Sequence, residues 1–162
     1  MNSRKGILYY KFYYNSPVGV LCVEDNGSAV TAIRLCRNGE AYGDSDNQSE
    51  LAQDVIKQLE EYFDGERRIF EIPIAPKGTE FQQKVWRALT DIPYGETRTY
   101  GEIAQQTGNP RACRAVGNAN NKNPIMIVIP CHRVIGSNGD LTGYACGLDI
   151  KKYLIDLEKS SK

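Results

Sequence analysis

Histidine is nearly absent from this chain. His132 is the single one in 162 residues, alongside one tryptophan and two methionines. The five cysteines, Cys22, Cys36, Cys113, Cys131 and Cys146, are odd in number and widely spaced, with no Cys-x-x-Cys pair. One imidazole and no paired thiols leave a zinc site of the usual spacing without a ligand set, so no metal is expected. The same pattern gives no disulfide framework and suits reduced thiols in a cytosolic compartment. No apolar run approaches the ~20 residues that span a bilayer. The N-terminal stretch MNSRKGILYYKFYYN has no signal-peptide core. Net charge is missing too, because 20 basic and 20 acidic residues cancel. The molecule as a whole carries no field that would gather a polyanion.

What is present is an ordinary globular composition, 41% hydrophobic and 25% charged. The length suffices for one domain with a sizeable core, or for two small ones sharing an interface. Charge is unevenly distributed. Residues 109–133 hold Arg111, Arg114, Lys122 and Arg133 and no acid, while acidic residues gather at 40–64 and in the C-terminal segment. A local basic face on a neutral protein suits largely sequence-independent contact with phosphates.

In chain order, residues 7–14, 18–24 and 29–36 are rich in β-branched and aromatic side chains. They are separated by Asn15-Ser16-Pro17 and by Asp25-Asn26-Gly27-Ser28, and so read as a small antiparallel sheet. Residues 38–48 read as a polar loop. Ser49 is placed to cap a helix over 50–64, ended by Gly65, with Leu51, Val55, Leu59, Tyr62 and Phe63 on one face. An extended piece over 69–74 and a Pro73, Pro76, Gly78 linker follow. Thr79 and Gln82 form a capping-box pattern for a helix over 80–91, whose buried stripe is Phe81, Val85, Trp86, Leu89 and Ile92. Thr99 caps a short helix over 100–106, stopped by Gly108-Asn109-Pro110, and a third helix is expected over 110–120. Two short helices joined by a tight glycine-containing turn make a helix-turn-helix pattern. A last helix is expected over 148–159, with Leu148, Tyr153, Leu154 and Leu157 as its apolar positions.

The chain is organised around residues 123–136, NPIMIVIPCHRVIG. Five apolar residues bounded by prolines fit a buried strand or core segment. Cys131 and His132 follow Pro130 directly. In a regular strand their side chains would face opposite ways, so cooperation between them requires a bend at the proline. On the residues alone, a buried structural thiol and a satisfied structural imidazole remain an open reading.

The string IPCHRVIG, with flanking matches from about Thr79 to about Glu158, resembles the active-site signature of the O6-alkylguanine-DNA alkyltransferases. That resemblance implies that Cys131 accepts the alkyl group, that His132 acts as base through a water, and that Glu158 orients it. It implies that Asn123 braces the turn carrying the cysteine and that the Tyr100 hydroxyl donates to the departing guanine. Arg114 would enter the duplex in place of the extruded nucleotide. Arg111 and the small residues Ala112, Ala115 and Gly117 would let the recognition helix press into the minor groove. Tyr144, Ala145, Cys146 and Val134 would line the alkyl-guanine pocket. Many relatives carry Gly-Gly where this chain has Cys146-Gly147, so a narrower pocket and transfer of mainly methyl groups are expected.

The expected fold is α+β. Residues 1–76 form a small antiparallel sheet with a helix as scaffold, and residues 77–162 form a helical domain holding the helix-turn-helix and the cysteine. The implied function is direct, stoichiometric repair of O6-alkylguanine in duplex DNA, independent of sequence and without a cofactor. The expected protein is a monomer in the cytoplasm, or in the nucleus of a eukaryote, with no membrane contact. Alkylation at Cys131 is expected to loosen the structure. Two alternatives stand beside this: a non-catalytic module of the same fold that binds damaged DNA, and a Cys-His hydrolase or redox protein with no DNA role.

Overall fold

The computed structural model describes residues 9–37 and 49–162. The expected loop at 38–48, and the start of the first strand at 7–8, lie outside the described residues. Strands β1 (Tyr10–Ser16), β2 (Gly19–Asp25) and β3 (Val30–Leu35) form an antiparallel meander in that order. Phe12 faces Val23 and Val23 faces Ile33, so one side of the sheet is apolar and buried. The hairpin between β2 and β3 turns at Asn26-Gly27, where Gly27 adopts φ +86° and the Asp25 carboxylate accepts from its N–H. The other oxygen of Asp25 accepts from the hydroxyl of Ser49, the N-cap of α1 (Glu50–Phe63), which ties helix start to hairpin.

Helix α1 buries Ala52, Val55, Leu59, Tyr62 and Phe63, and the half-buried Leu51 packs at the edge of the core. Burying each large apolar side chain contributes about 1.5–3 kcal/mol. Helix α2 (Glu80–Thr90) starts with the Thr79–Gln82 capping box, both hydrogen bonds being made. Trp86 belongs to the core, and its indole N–H donates to the Ala119 carbonyl at 2.9 Å, fastening α2 onto α4 (Cys113–Asn121). Between them, α3 (Tyr100–Gln106) is capped by Thr99 with Glu102 completing a second capping box.

Helix α4 starts at Cys113 rather than Pro110. The Asn109 side chain accepts from the Arg111 N–H and its carbonyl from the Ala112 N–H, which holds 109–112 in a turn. Arg111 and Ala112 therefore precede the helix, with Ala112 at the N-cap position and no side chain capping it.

Two further departures from expectation shape the site. Residues 125–129 form no regular strand. Ile125 makes a single parallel bridge to Ile33, held by the Ile33 N–H to the Pro124 carbonyl and the Met126 N–H to the Ile33 carbonyl. This stitches the segment onto β3. In α5 (Leu148–Ser160) the buried face is Lys151, Leu154, Ile155 and Glu158, while Leu148 and Tyr153 are 49% and 40% exposed. The spacing i, i+3, i+4, i+7 holds, but two of its four positions are charged. Residues 134–135 form β5 (Val134–Ile135), paired in parallel with β4 (Arg98–Thr99). One continuous apolar core runs from the sheet through α1, α2, α4 and the 125–134 segment to Leu154.

Candidate active site and nucleic-acid face

The segment that carries Cys131 turns twice in six residues. The Val128 N–H donates to the Met126 carbonyl across Ile127, whose φ of +74° makes it the one non-glycine with positive φ among the described residues. A β-branched residue in that region is strained and persists only where its surroundings enforce it. Next, the Cys131 N–H donates to the Ile129 carbonyl across Pro130, whose φ −82° and ψ 63° match an inverse γ-turn. Proline suits that position because its ring already restricts φ. Cys131, His132 and Arg133 then form one short 3-10 turn. The bend required for a cysteine and a histidine adjacent in sequence is thus built at Pro130.

Asn123 holds the bend from inside. Its side-chain amide donates to the Ile129 carbonyl at 2.8 Å and its oxygen accepts from the Ile125 N–H at 2.9 Å. Asn120, buried on the last turn of α4, donates to the Cys131 carbonyl at 3.3 Å. Cys131 as a whole is 5% exposed. Burial pushes its pKa up to about 11, against the opposing influence of hydrogen bonding from Asn123 and Tyr144 and the charge of Lys151. The Tyr144 hydroxyl faces this sulfur, favouring its thiolate, without completing a hydrogen bond of normal geometry. At neutral pH the resting group is therefore a thiol.

His132 is wholly buried. Its Nε2 meets Glu158 Oε1 at 2.7 Å, and its Nδ1 has no hydrogen-bond partner among the described residues. A carboxylate at Nε2 selects the tautomer with the proton there, leaving Nδ1 as an acceptor. Burial lowers the histidine pKa, opposed by Glu158, so the ring is a neutral base at pH 7. For Glu158, burial raises the pKa, but hydrogen bonds and charge from His132 and Arg133 outweigh it and hold the carboxyl down to about 2. Arg133 grips the carboxylate with Nε to Oε2 and Nη2 to Oε1, both at 2.9 Å, and gives Nη1 to the Ile92 carbonyl. Arg133 is 7% exposed, so it belongs to this network and not to the basic face at 109–133.

Sequence reasoning missed Lys151. It is fully buried, and its Nζ donates to the Thr142 carbonyl at 2.9 Å while lying 5.8 Å from the Tyr100 ring and 5.9 Å from the Tyr144 ring. Burial lowers its pKa to about 8. Its position seven residues before Glu158 was the available signal, since that spacing shares one helix face. The Tyr100 hydroxyl donates to the same Thr142 carbonyl at 2.8 Å.

A groove of about 430 Å³ opens over α4, lined in part by Tyr100, Arg114, Gly117, Asn121, Thr142 and Gly143. Tyr100, Arg114 and Gly117 are thereby brought together. Ala115 and Arg111 are exposed nearby on α4 and its preceding turn. The remaining expected pocket residues divide. Ala145 is exposed, and Cys146 turns its thiol onto Met126, Sγ to Sδ 3.8 Å, with hydrogen bonding to the Leu35 backbone. Val134 is wholly buried in the core and does not line the groove over α4. A second cavity, about 560 Å³, is walled by Arg68, Tyr94, Ile127, Pro130 and Arg133 among others, and Cys131 does not line it. No cluster of potential metal ligands occurs among the described residues. No helix among them is long and apolar enough to cross a membrane.

Two family models match. The 6-O-methylguanine DNA methyltransferase DNA-binding domain covers residues 80–160, and the ribonuclease-like domain of the same family covers residues 8–76. The chain is 49% identical over 156 residues to a methylated-DNA–protein-cysteine methyltransferase of Methanosarcina acetivorans, covering 94% of this chain and 99% of that one. It is 47% identical over 152 residues to the Mycobacterium bovis protein of that name, covering 90% of each. The fold matches the crystal structure of Mycobacterium tuberculosis O6-methylguanine methyltransferase with a TM-score of 0.85 at 45% identity, over 96% of this chain and 95% of the other. The mycobacterial protein in complex with DNA matches with a TM-score of 0.86 at 45% identity, over 94% of each chain.

Proposed function

Since the chain belongs to the 6-O-methylguanine DNA methyltransferase family, we propose that it repairs DNA directly by moving an alkyl group, mainly methyl, from O6-alkylguanine onto Cys131. The observation that carries this reading is the buried His132–Glu158 pair, 2.7 Å across, with His132 next to Cys131 in sequence and its imidazole Nδ1 left as an unpartnered acceptor. A thiol at about 11 is a poor nucleophile, and such a base is what it needs.

The Cys131 proton passes through a water to His132 Nδ1, and the imidazolium is held by Glu158. The thiolate attacks the alkyl carbon, an S–C bond forms, and the C–O electron pair stays on guanine. The guanine anion takes a proton from the Tyr100 hydroxyl, and the proton on His132 restores the balance. To donate to a base, Tyr100 has to release the Thr142 carbonyl. Lys151 continues to satisfy that carbonyl, which lowers the cost of the release. The product is a thioether that no neighbouring group can hydrolyse, so each molecule acts once and needs no cofactor.

A base edge inside a duplex is out of reach of a buried thiol, so the damaged nucleotide is extruded at a cost of a few kcal/mol. Exposed Arg114 on α4 fills the gap, and Gly117 with Ala112 and Ala115 lets α4 approach the minor-groove floor without reading sequence. Residues 77–162 do this chemistry and residues 1–76 support them. The protein acts as a monomer in the cytoplasm, or in the nucleus of a eukaryote.

The experiment is intact mass after incubation with a duplex holding one O6-methylguanine, for wild type and Cys131→Ser. The expected outcome is a gain of one methyl per protein, absent in the variant. No gain with tight lesion binding would replace this reading by damage sensing, and neither gain nor binding would remove the DNA role.

A further inference from the structure

The Glu158 carboxylate receives a donor from the opposite half of the chain. The hydroxyl of Tyr62, on the last turn of α1, donates to Glu158 Oε1 at 2.8 Å across 96 residues of sequence. It reaches the same oxygen that meets His132 Nε2 and Arg133 Nη2. Oε2 takes Arg133 Nε and, at 3.2 Å, the Gly95 N–H. The Tyr62 ring is wholly buried and fixed by Phe63 and Phe70, each with ring centroids 5.4 Å away, and by Tyr94 at 6.3 Å. The hydroxyl therefore has no other direction to point and stays at Oε1.

We infer that Tyr62 is a positioning residue for the transfer step, through which the sheet half of the molecule sets where the cysteine proton rests. This rests on the reading of Cys131 as alkyl acceptor given above. Each donor on Oε1 withdraws negative charge from the oxygen that attracts the imidazole proton. With Tyr62 and Arg133 both in place, Glu158 remains a carboxylate and the proton taken from Cys131 stays on His132, within reach of the reacting groups. Without the tyrosine donor, the carboxylate pulls harder on the imidazole proton and the His132 basicity rises. The groups that act on this pair are Tyr62 and Arg133 at the carboxylate and Lys151 and Arg133 on the imidazole, while Tyr94 acts on Tyr62. Burial and then the charge of Glu158 keep the Tyr62 hydroxyl protonated well above its ordinary range, so it remains a donor wherever the protein works.

The test uses the fact that His132 is the single histidine of the chain, so its imidazole gives one resolved NMR titration without any substrate. The variants are Tyr62→Phe, and Val55→Ala as a control on the buried face of the same helix. Alkylation of Cys131 by a free O6-alkylguanine base is followed over the same pH range. In Tyr62→Phe, the His132 midpoint and the acidic limb of the alkylation rate move upward together by about one pH unit, the size expected for one hydrogen bond to a buried carboxylate. Val55→Ala moves neither. If Tyr62→Phe leaves the His132 midpoint where it is, or lowers the rate in parallel at every pH, Tyr62 is a packing residue and the inference is wrong. A shifted midpoint in a protein whose wild type gains no alkyl group would keep the Tyr62–Glu158–His132 link and remove the transfer reaction instead.

Discussion

At the residue scale, Asn123 braces the segment that carries Cys131 through two hydrogen bonds. Its amide and carbonyl satisfy the Ile129 carbonyl and the Ile125 N–H inside a segment with no sheet partner on that side, and they close the loop that contains the strained Ile127. Alanine there strips the Ile125 N–H of its side-chain acceptor and leaves the Ile129 carbonyl with the Cys131 N–H alone, in a buried setting. Asn123→Ala is expected to lose about 2–4 kcal/mol of stability and to slow alkylation of the folded fraction by about 10–100-fold, because the thiol loses its fixed bearing. Chemical denaturation and a single-turnover rate with a free base measure the two effects separately. An unchanged rate in the folded variant would mean that the γ-turn at Pro130 holds the cysteine unaided. The geometry of this residue was not legible from the string NPIMIVIP. The brace itself was expected from resemblance, but the apolar run read as strand-like, and nothing local shows that its hydrogen bonds go to a side chain rather than to a ladder.

At the scale of the element, α3, α4 and the turn between them present a groove whose only charged lining group among the described residues is Arg114. Helix α4 is free to offer its N-terminal face because its other face is pinned by Trp86 to the Ala119 carbonyl and by Val116 in the core. Arg114→Ala is expected to slow repair of O6-methylguanine in duplex DNA by about tenfold or more, as the loss of 1.4 kcal/mol or more of support for the flipped state requires. Reaction with a free O6-alkylguanine base should change less than twofold. Equal slowing with both substrates would place Arg114 in the fold of the site and not in the duplex. The helices were readable from their caps: Ser49, Thr79 and Thr99 each accept the expected backbone N–H. The start of α4 was not, because Asn109 competes for the first N–H groups and delays the helix by three residues.

At the scale of the whole molecule, the two halves share one core and one charged centre. Ile33 of β3 is stitched to Ile125, and Tyr62 of α1 to Glu158 of α5. Cys131 sits in packed surroundings at 5% exposure, and one added methyl overfills them. Overpacking of this size costs about 1–3 kcal/mol, which for a protein of this length is a drop of roughly 2–12 °C in Tm. Scanning calorimetry of free and fully methylated protein tests this, and an equal or higher Tm after methylation would contradict it. The expected destabilisation of a methylated form follows from the burial of Cys131. The same burial raises the thiol to about 11 and makes the reaction depend on a base.

The sequence by itself determined the α+β class, the helices capped by Ser49, Thr79 and Thr99, the hairpin at Asn26-Gly27 and the pairing of Cys131 with a bend at Pro130. Each of these is a local matter of turn chemistry and periodicity, complete within a few residues. Only the tertiary structure decided which charges are buried. Arg133 reads as part of a basic surface until α5 is packed, and Lys151 draws no reading at all from the sequence. Leu148 and Tyr153 read as core but stay in solvent. The reason is energetic: a buried ion is tolerated only where partners from distant parts of the chain converge on it. Glu158 gathers Tyr62, Gly95, His132 and Arg133 from across 96 residues, and that convergence exists only in the folded molecule.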